Sequence, residues 1–170
     1  MTRHLALVGF MASGKSTIGR KLARRLGRPF VDTDELVVRA HGSIKAIFAQ
    51  EGEAAFRRYE CRAIGEVLAN PQVSVVALGG GALTVAENRR LLKQRAKCVF
   101  IKVSPEQVLA RVRRSREIRP MLGEGPTLEQ IKELYKQRLP QYATADLVIE
   151  VERHSDRDVI DAIVGWLRKT

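Results

Sequence analysis

GFMASGKST, spanning Gly9–Thr17, is the stretch that decides how this chain is read. It fits the pattern GxxxxGK[ST], with Gly9, Gly14, Lys15 and Ser16 at the fixed positions. The apolar run HLALVG (4–9) before it reads as a buried strand. STIGRKLARRLG (16–27) after it sets Ile18, Leu22 and Leu26 at helical spacing and closes on a glycine. Strand, glycine-rich turn and helix are the context the pattern requires. Glycine lets the turn tighten until backbone N–H groups point inward, and the helix start adds partial positive charge, so the loop suits phosphate oxygens. Gly9, Met11, Ala12, Ser13, Gly14, Lys15, Ser16 and Thr17 are therefore the candidate nucleotide contacts. Lys15 can reach the outer phosphates, and the Ser16 hydroxyl can ligate Mg²⁺.

Working outward, strands and helices alternate to the end of the chain. Further strands are expected at RPFVD (28–32), SVVAL (74–78), KCVFIKV (97–103) and DLVIEV (146–151). Helices are expected over 34–42, 43–50 with a Ser43 cap, 53–69 ended by Asn70-Pro71, and 84–94 with a Thr84/Glu87 capping box. Others follow over 104–114 with Pro105 at the first position, 127–143 with Pro140 bending or ending it, and 156–169. Residues 114–126, rich in Arg, Gly and Pro, read as a loop. Five apolar strands separated by helices predict one α/β domain over 1–170: a five-stranded parallel sheet with helices on both faces, in three layers. Such sheets bind ligands beyond the carboxyl ends of their strands, so Gly9, Asp32, Gly79 and Val103 should lie close together.

The bulk numbers narrow the class. The 170 residues suffice for a full core. No apolar run approaches the roughly 18 residues of a membrane span, and the start does not read as a signal peptide. Cys61 and Cys98 lack metal-type spacing and read as small buried hydrophobes in a reducing, cytoplasmic setting. The formal net charge of +11 calls for an anion, either a polyphosphate ligand or nucleic acid. Aromatics at 5% are too few for a base-stacking platform, and no zinc, RNP or basic-tail signature appears, so nucleic acid is not expected as a partner. Neither Asn70 nor Asn88 precedes a lysine, which removes the base reader of a GTPase. SVVAL runs into GGG with no acid, unlike a helicase-type ATPase. A small phosphotransferase with a small-molecule acceptor remains.

The acceptor side draws on separate clusters. Asp32 and Asp34 follow the second strand; alone, Asp34 reads equally well as a helix N-cap and Asp32 as a plain strand end. Arg57 and Glu60 share a helix face at i, i+3, with Arg58 turned to solvent. Gly79, Gly80 and Gly81 end the third strand, either as a flexible turn or as bare backbone that a ligand can approach closely. Arg119 lies in the loop and Arg138 in the following helix. Arg111, Arg113, Arg114 and Arg116 read as a solvated flank of that loop. The three histidines lie outside every motif, and Trp166 reads as packing in the last helix.

Taken in order, GKST, DTD, GEAAFRRYE (52–60), LGGGA (78–82), RPML (119–122) and RLPQY (138–142) resemble the shikimate kinase family from Gly9 to Tyr142. The resemblance implies a P-loop, nucleoside-monophosphate-kinase-like fold with substrate-binding helices at about 33–61 and a mobile lid at about 112–126. It implies a cytoplasmic monomer that uses ATP and Mg²⁺ to phosphorylate the 3-hydroxyl of shikimate, on the route to aromatic amino acids. Asp34 would hold the acceptor hydroxyls and act as candidate base, with Lys15 and Arg119 the other catalytic groups. Arg57 and Arg138 would grip the shikimate carboxylate, and Gly80 and Gly81 would meet the ring hydroxyls. Arg119 would also contact the nucleotide, and Asp32 would join Ser16 at the metal. The chain departs from the family at the adenine contact: the family's Arg, seven residues before the RP arginine, is here Val112, and Arg111 lies eight before. Arg111 is the candidate ATP contact on that basis. Two other functions fit parts of the pattern: a kinase for another hydroxy acid such as gluconate, and a nucleotide-dependent RNA-binding module.

Overall fold

The computed structural model describes residues 3–115, 120–123 and 125–170. Its sheet is built from β1 (His4–Val8), β2 (Phe30–Asp32), β3 (Val75–Ala77), β4 (Ala96–Lys102) and β5 (Leu147–Glu150). Across the sheet they stand in the order β2-β3-β1-β4-β5, every neighbouring pair parallel. β1 lies at the centre, and Leu5, Ala6, Leu7 and Val8 are buried on both faces, which is why the run carries no alternation. The helices are α1 (Lys15–Leu26), α2 (Thr33–His41), α3 (Ile44–Gln50), α4 (Gly52–Ala69), α5 (Ala86–Arg95), α6 (Pro105–Arg114), α7 (Leu128–Tyr142) and α8 (Asp156–Leu167). α1 packs on β3 and α8, while α5 packs on β4 and α4. Parallel strands need such crossovers, and the crossovers supply the covering layers.

Two apolar clusters form. The larger is centred on β1, β3 and β4. Val37, Ile47, Phe56 and Ala63 form a second, which ties α2, α3 and α4 together. These helices are the 33–61 region flagged in the sequence.

The element boundaries match the expected ones within two residues, and the differences in capping and burial have physical causes. Thr84 does not cap α5. After the glycine run the chain makes a 3₁₀ turn, Ala82–Thr84, in which the Thr84 hydroxyl donates to Gly81 O at 2.7 Å, so the hydroxyl is already used and Val85 takes the cap position. Pro140 does not end α7, which continues to Tyr142; so close to the terminus its missing N–H removes one bond of a turn about to end. Asp34 is not the cap of α2. That role falls to Asp32, whose Oδ1 accepts from the N–H groups of Asp34 (3.0 Å) and Glu35 (3.4 Å). Cys61 and Cys98 are half-buried rather than buried, and burial pushes the Cys98 thiol up to about 12. Trp166 packs, half-buried, against the main cluster.

His4 acquires a structural role at the opening of β1. Its buried ring accepts at Nδ1 from the N–H of Ser74 (3.3 Å) and sits 3.1 Å from the Ser74 hydroxyl. Nε2–H therefore donates to Asn70 O at 3.2 Å, which joins the start of β1 to the segment before β3. Burial lowers the His4 pKa, the Asn70 bond opposes this, and the charges of Arg28 and Arg95 lower it further. The folded pKa thus lies below the unfolded value near 6.5. Above that value both states are neutral; below it the unfolded chain takes up the proton first, so stability falls with pH. Melting temperature is expected to drop between about pH 7 and pH 5, and His4→Gln is expected to flatten that part of the profile. An identical slope in the variant, measured by calorimetry, would reject the assignment.

Candidate functional site

The parallel sheet delivers its strand-to-helix turns to one edge, and the candidate residues gather there. Gly9 follows β1 with φ +146°, and a methyl at that position would come within 2.6 Å of Ile101 O in β4. Gly79 follows β3, and its N–H donates to Thr33 Oγ1 at the start of α2 (3.3 Å). Gly9, Asp32 and Gly79 therefore converge as expected, with Val103 following β4 at the same edge.

The phosphate-type loop is held by its own backbone. Gly14 precedes α1 with φ 93°, no side chain caps the helix, and its first turn has no acid. The partial positive charge of the helix start is left for an anion. Ala12 has φ 56°, the left-handed region, alone among the described non-glycine residues. Its carbonyl accepts from Arg111 Nη1 at 2.9 Å, so α6 touches the loop at this point. Lys15 is buried inside the turn, and its ammonium donates to Gly9 O (2.9 Å), Phe10 O (2.8 Å) and Ser13 Oγ (3.3 Å). Met11, Ala12, Ser13, Gly14, Ser16 and Thr17 line the same concavity. Ser16 Oγ donates to Asp32 Oδ2 at 2.5 Å. One carboxylate thus caps α2 with one oxygen and meets Ser16 with the other.

A second concavity adjoins it, and Met11, Asp34 and Gly80 line both. One wall is apolar, from Ile44, Phe48, Phe56 and Met121; the other carries Asp34, Arg57, Glu60 and Arg138. The three glycines explain how these groups fit. A methyl at Gly79 would overlap Glu60 Oε1 and lie 2.7 Å from Asp34 Oδ1. At Gly80 it would stand 3.1 Å from Met11 N and 3.4 Å from Arg138 Nη1, and at Gly81 it would run into the Arg57 guanidinium. The absence of side chains lets two carboxylates and two guanidinium groups pack closely around one turn. This removes the reading of GGGA as a flexible linker turn.

Arg57 is clamped in place. Nη1 donates to Glu60 Oε2 at 2.7 Å, while Nε and Nη2 donate to Glu53 Oε1 at 3.3 and 3.2 Å. Its neighbour Arg58 is exposed. Glu60 is fully buried, and burial raises its pKa; Arg57 opposes the shift and the Asp34 charge adds to it. Arg138 is 4% exposed, 5.6 Å from the centroid of Phe10, and has no carboxylate within ion-pair distance among the described residues. Tyr142, one turn on, donates to Gly80 O; burial holds its phenol up to about 12, so it stays a donor. Arg119 lies outside the described residues, as do 116–118 and 124 of the expected lid.

Glu53 has no place in the sequence reading of the site, and Glu60, Gly79 and Tyr142 enter it only as members of clusters or motifs, without a role. Glu53 flanks Arg57 at i−4, a helix-face spacing that points to it as i+3 points to Glu60. Tyr142 lies at i+4 from Arg138, but the partner of its hydroxyl, a backbone carbonyl 62 positions away, has no signal in the sequence.

Comparison with known proteins gives one family. The shikimate kinase family model matches residues 11–168. A shikimate kinase of Paracidovorax citrulli is 43% identical over 150 residues, covering 86% of this chain and 81% of its own. One from Nitrosococcus oceani is 41% identical over 168 residues, covering 98% and 87%. Among solved structures, shikimate kinase from Acinetobacter baumannii in complex with shikimate superposes with TM-score 0.92 at 37% identity, covering 99% of this chain and 94% of that one. A gluconokinase from Sinorhizobium meliloti superposes at 0.66 with 17% identity, a likeness of fold alone.

Gly81→Ala tests the close approach. The added methyl displaces a guanidinium rather than backbone, so the fold is expected to survive. KM for the acceptor is expected to rise about 10- to 100-fold, the equivalent of one charge-assisted contact, with KM for ATP unchanged. Steady-state kinetics with each substrate varied checks this, and an unaltered acceptor KM counts against it.

Proposed function

This chain belongs to the shikimate kinase family, and on that premise we propose that it transfers the γ-phosphoryl group of ATP to the 3-hydroxyl of shikimate, giving shikimate 3-phosphate and ADP for aromatic amino-acid synthesis. Arg138 is the observation that carries the reading: a guanidinium 4% exposed, with no carboxylate partner among the described residues. Burying such a charge is costly unless an anion meets it. Arg57, clamped by Glu53 and Glu60, faces the same concavity. Two guanidinium forks suit one carboxylate, and the apolar wall of Ile44, Phe48, Phe56 and Met121 suits the face of a carbocyclic ring better than an open-chain polyol such as gluconate.

The roles follow from position. The loop N–H groups and Lys15 take the phosphates, and Lys15 must leave the Gly9 and Phe10 carbonyls to follow the transferring group. Asp34, where the two concavities meet, orients the acceptor hydroxyl and accepts its proton. Gly80 and Gly81 admit the ring hydroxyls. Arg119 and Arg111 act on the nucleotide side, Arg119 from a 112–126 segment that closes over the site and keeps water from the phosphoryl group.

Mg²⁺ fits the donors present. Ser16 and Asp32 put two hard oxygens side by side at the loop, and no group of three metal-binding side chains occurs among the described residues. A magnesium ion, which keeps several waters and binds substrate phosphates, needs no more from the protein. It would neutralise charge on the phosphates, with Ser16 as direct ligand and Asp32 on its water shell. No helix among the described residues is long and apolar enough to cross a membrane; a cytoplasmic monomer is part of the same proposal.

A coupled assay for ADP with shikimate, ATP and Mg²⁺ decides the reading, and absence of turnover rejects it; faster turnover of gluconate in the same assay would move the chain to the alternative. Asp34→Asn is expected to lower kcat by about 10²- to 10⁴-fold while ATP still binds. Arg138→Lys keeps the charge and loses the fork, so KM for shikimate is expected to rise about tenfold or more with kcat less affected. Lys15→Met is expected to abolish turnover.

A further inference from the structure

The kinase reading accounts for the cations at the carboxyl edge of the sheet and leaves the opposite edge unexplained. Four helices end there: α1, α4, α5 and α8. The last turn of α1 carries Arg24 and Arg25, and Arg28 follows just before β2. The last turn of α5 carries Lys93 and Arg95. Arg168 and Lys169 follow α8. Arg3 and Lys97 stand at the openings of β1 and β4.

Contacts draw several of these positions together, and Arg24 and Arg25 lie in the helix turn just before Arg28. Arg3 donates to Lys93 O at 3.4 Å. Lys97 lies 5.2 Å from the Trp166 ring centroid and bonds Thr170, which brings the end of α8 to β4. The charges of Arg28 and Arg95 both act on His4. Arg28, Arg3 and Lys97 head β2, β1 and β4, which at about 4.8 Å per strand lie within about 15 Å of each other across the sheet.

The charges on this surface are not balanced. None of these nine cations makes an ion pair among the described residues. By contrast, Arg20, Lys21, Arg62, Arg90, Lys102 and Lys132 all pair with carboxylates elsewhere on the surface. Acids come near these cations as well. Glu66 is paired with Arg62, Asp156 and Asp161 share a concavity with Arg25 and are paired with Lys21 and Arg157, and Asp146 accepts the Cys98 N–H. Nine cations therefore face one carboxylate outside an ion pair, a surplus of eight in a chain of net charge +11. Cations at helix ends are ordinary, because each helix presents about half a negative charge there. Four helix ends offset about two charges, which leaves most of the surplus.

We propose that this basic end is a sequence-independent docking surface for the phosphodiester backbone of nucleic acid. Six of the nine cations are arginines, whose planar forks match phosphate oxygens. The base-reading motifs missing from the sequence are not needed, since a backbone contact reads no base. A membrane is the poorer fit. The large apolar side chains exposed among the described residues are Val38 and Val148, on α2 and β5, and neither is at this end to insert into lipid. The surface lies at the other end of the sheet from the ATP loop, so both can be engaged together.

Fluorescence anisotropy with a labelled RNA of about 20 nucleotides, titrated from about 50 to 250 mM salt, tests the proposal. Binding in the micromolar range at the low end is expected, weakening with a log–log slope of about −3 or steeper. Arg24→Glu/Arg25→Glu/Arg28→Glu is expected to weaken it at least tenfold and to flatten the slope by about two. Arg62→Glu/Arg90→Glu/Lys132→Glu, with the same change in net charge, is expected to cost less than threefold. Both triple variants should keep shikimate-dependent turnover within twofold, which certifies the fold, and Gln in place of Glu at 24, 25 and 28 provides a milder set. No RNA binding at low salt, equal losses in the two triple variants, or binding to anionic vesicles in place of RNA would each overturn the proposal.

Discussion

Five strands that all run the same way leave the chain one arrangement of its turns. Each strand-to-helix turn falls at one edge of the sheet, and each return falls at the other. The helices that follow β1 and β2 begin at the carboxyl edge with their positive ends, and several helices finish at the opposite edge with their negative ends. The chain uses this polarity at both edges. At the carboxyl edge the uncapped start of α1 and the glycine-rich loop wait for phosphate. At the other edge Arg24, Arg25, Lys93 and Arg95 gather where the helices end.

At the carboxyl edge, the spacing between charges depends on what is absent. Gly79, Gly80 and Gly81 hold the turn that Glu60, Asp34, Arg138 and Arg57 approach from four directions. A side chain at any of the three would meet one of them. The buried carboxylate of Glu60 then holds Arg57 at the lining of the second concavity. Burial and the nearby Asp34 charge raise the Glu60 pKa, and Arg57 opposes that shift. Arg138 has no such partner among the described residues, and this asymmetry between two guanidinium groups gives the site its demand for an anion. Asp32 links the halves, since one of its oxygens caps α2 and the other meets Ser16 of the loop. Any shift of the loop is therefore felt at the start of the helix that carries Asp34.

Much of this was legible in the residues. The loop pattern and the order of strands and helices come from local spacing, which backbone geometry turns into position; Asp34, Arg57, Gly80, Gly81 and Arg138 stand out as candidates through the resemblance to the shikimate kinase family. The errors were also local. Asp34 and Asp32 are two residues apart and both favour caps, so composition could not say which one caps α2; the approach of Ser16 to Asp32 and the bonds to its Oδ1 decide it. Thr84 had a good capping pattern, but the turn out of Gly81 used its hydroxyl first. Glu60 sits beside Arg57 by local spacing, but the burial that makes it matter is tertiary, as is the partner of Tyr142, the Gly80 carbonyl.

The sequence by itself determined the class of chemistry. A phosphate loop needs glycines, a lysine and a hydroxyl at fixed separations along the chain, and those separations are written in Gly9–Thr17. Only the tertiary structure decided which charges meet. Burial of Glu60 and Arg138, the close approach of charged side chains to residues 79–81, and the gathering at the far edge of cations that make no ion pair among the described residues all arise between segments tens of residues apart. Charge and size are properties of single residues, but desolvation and pairing are properties of the neighbours that the fold supplies.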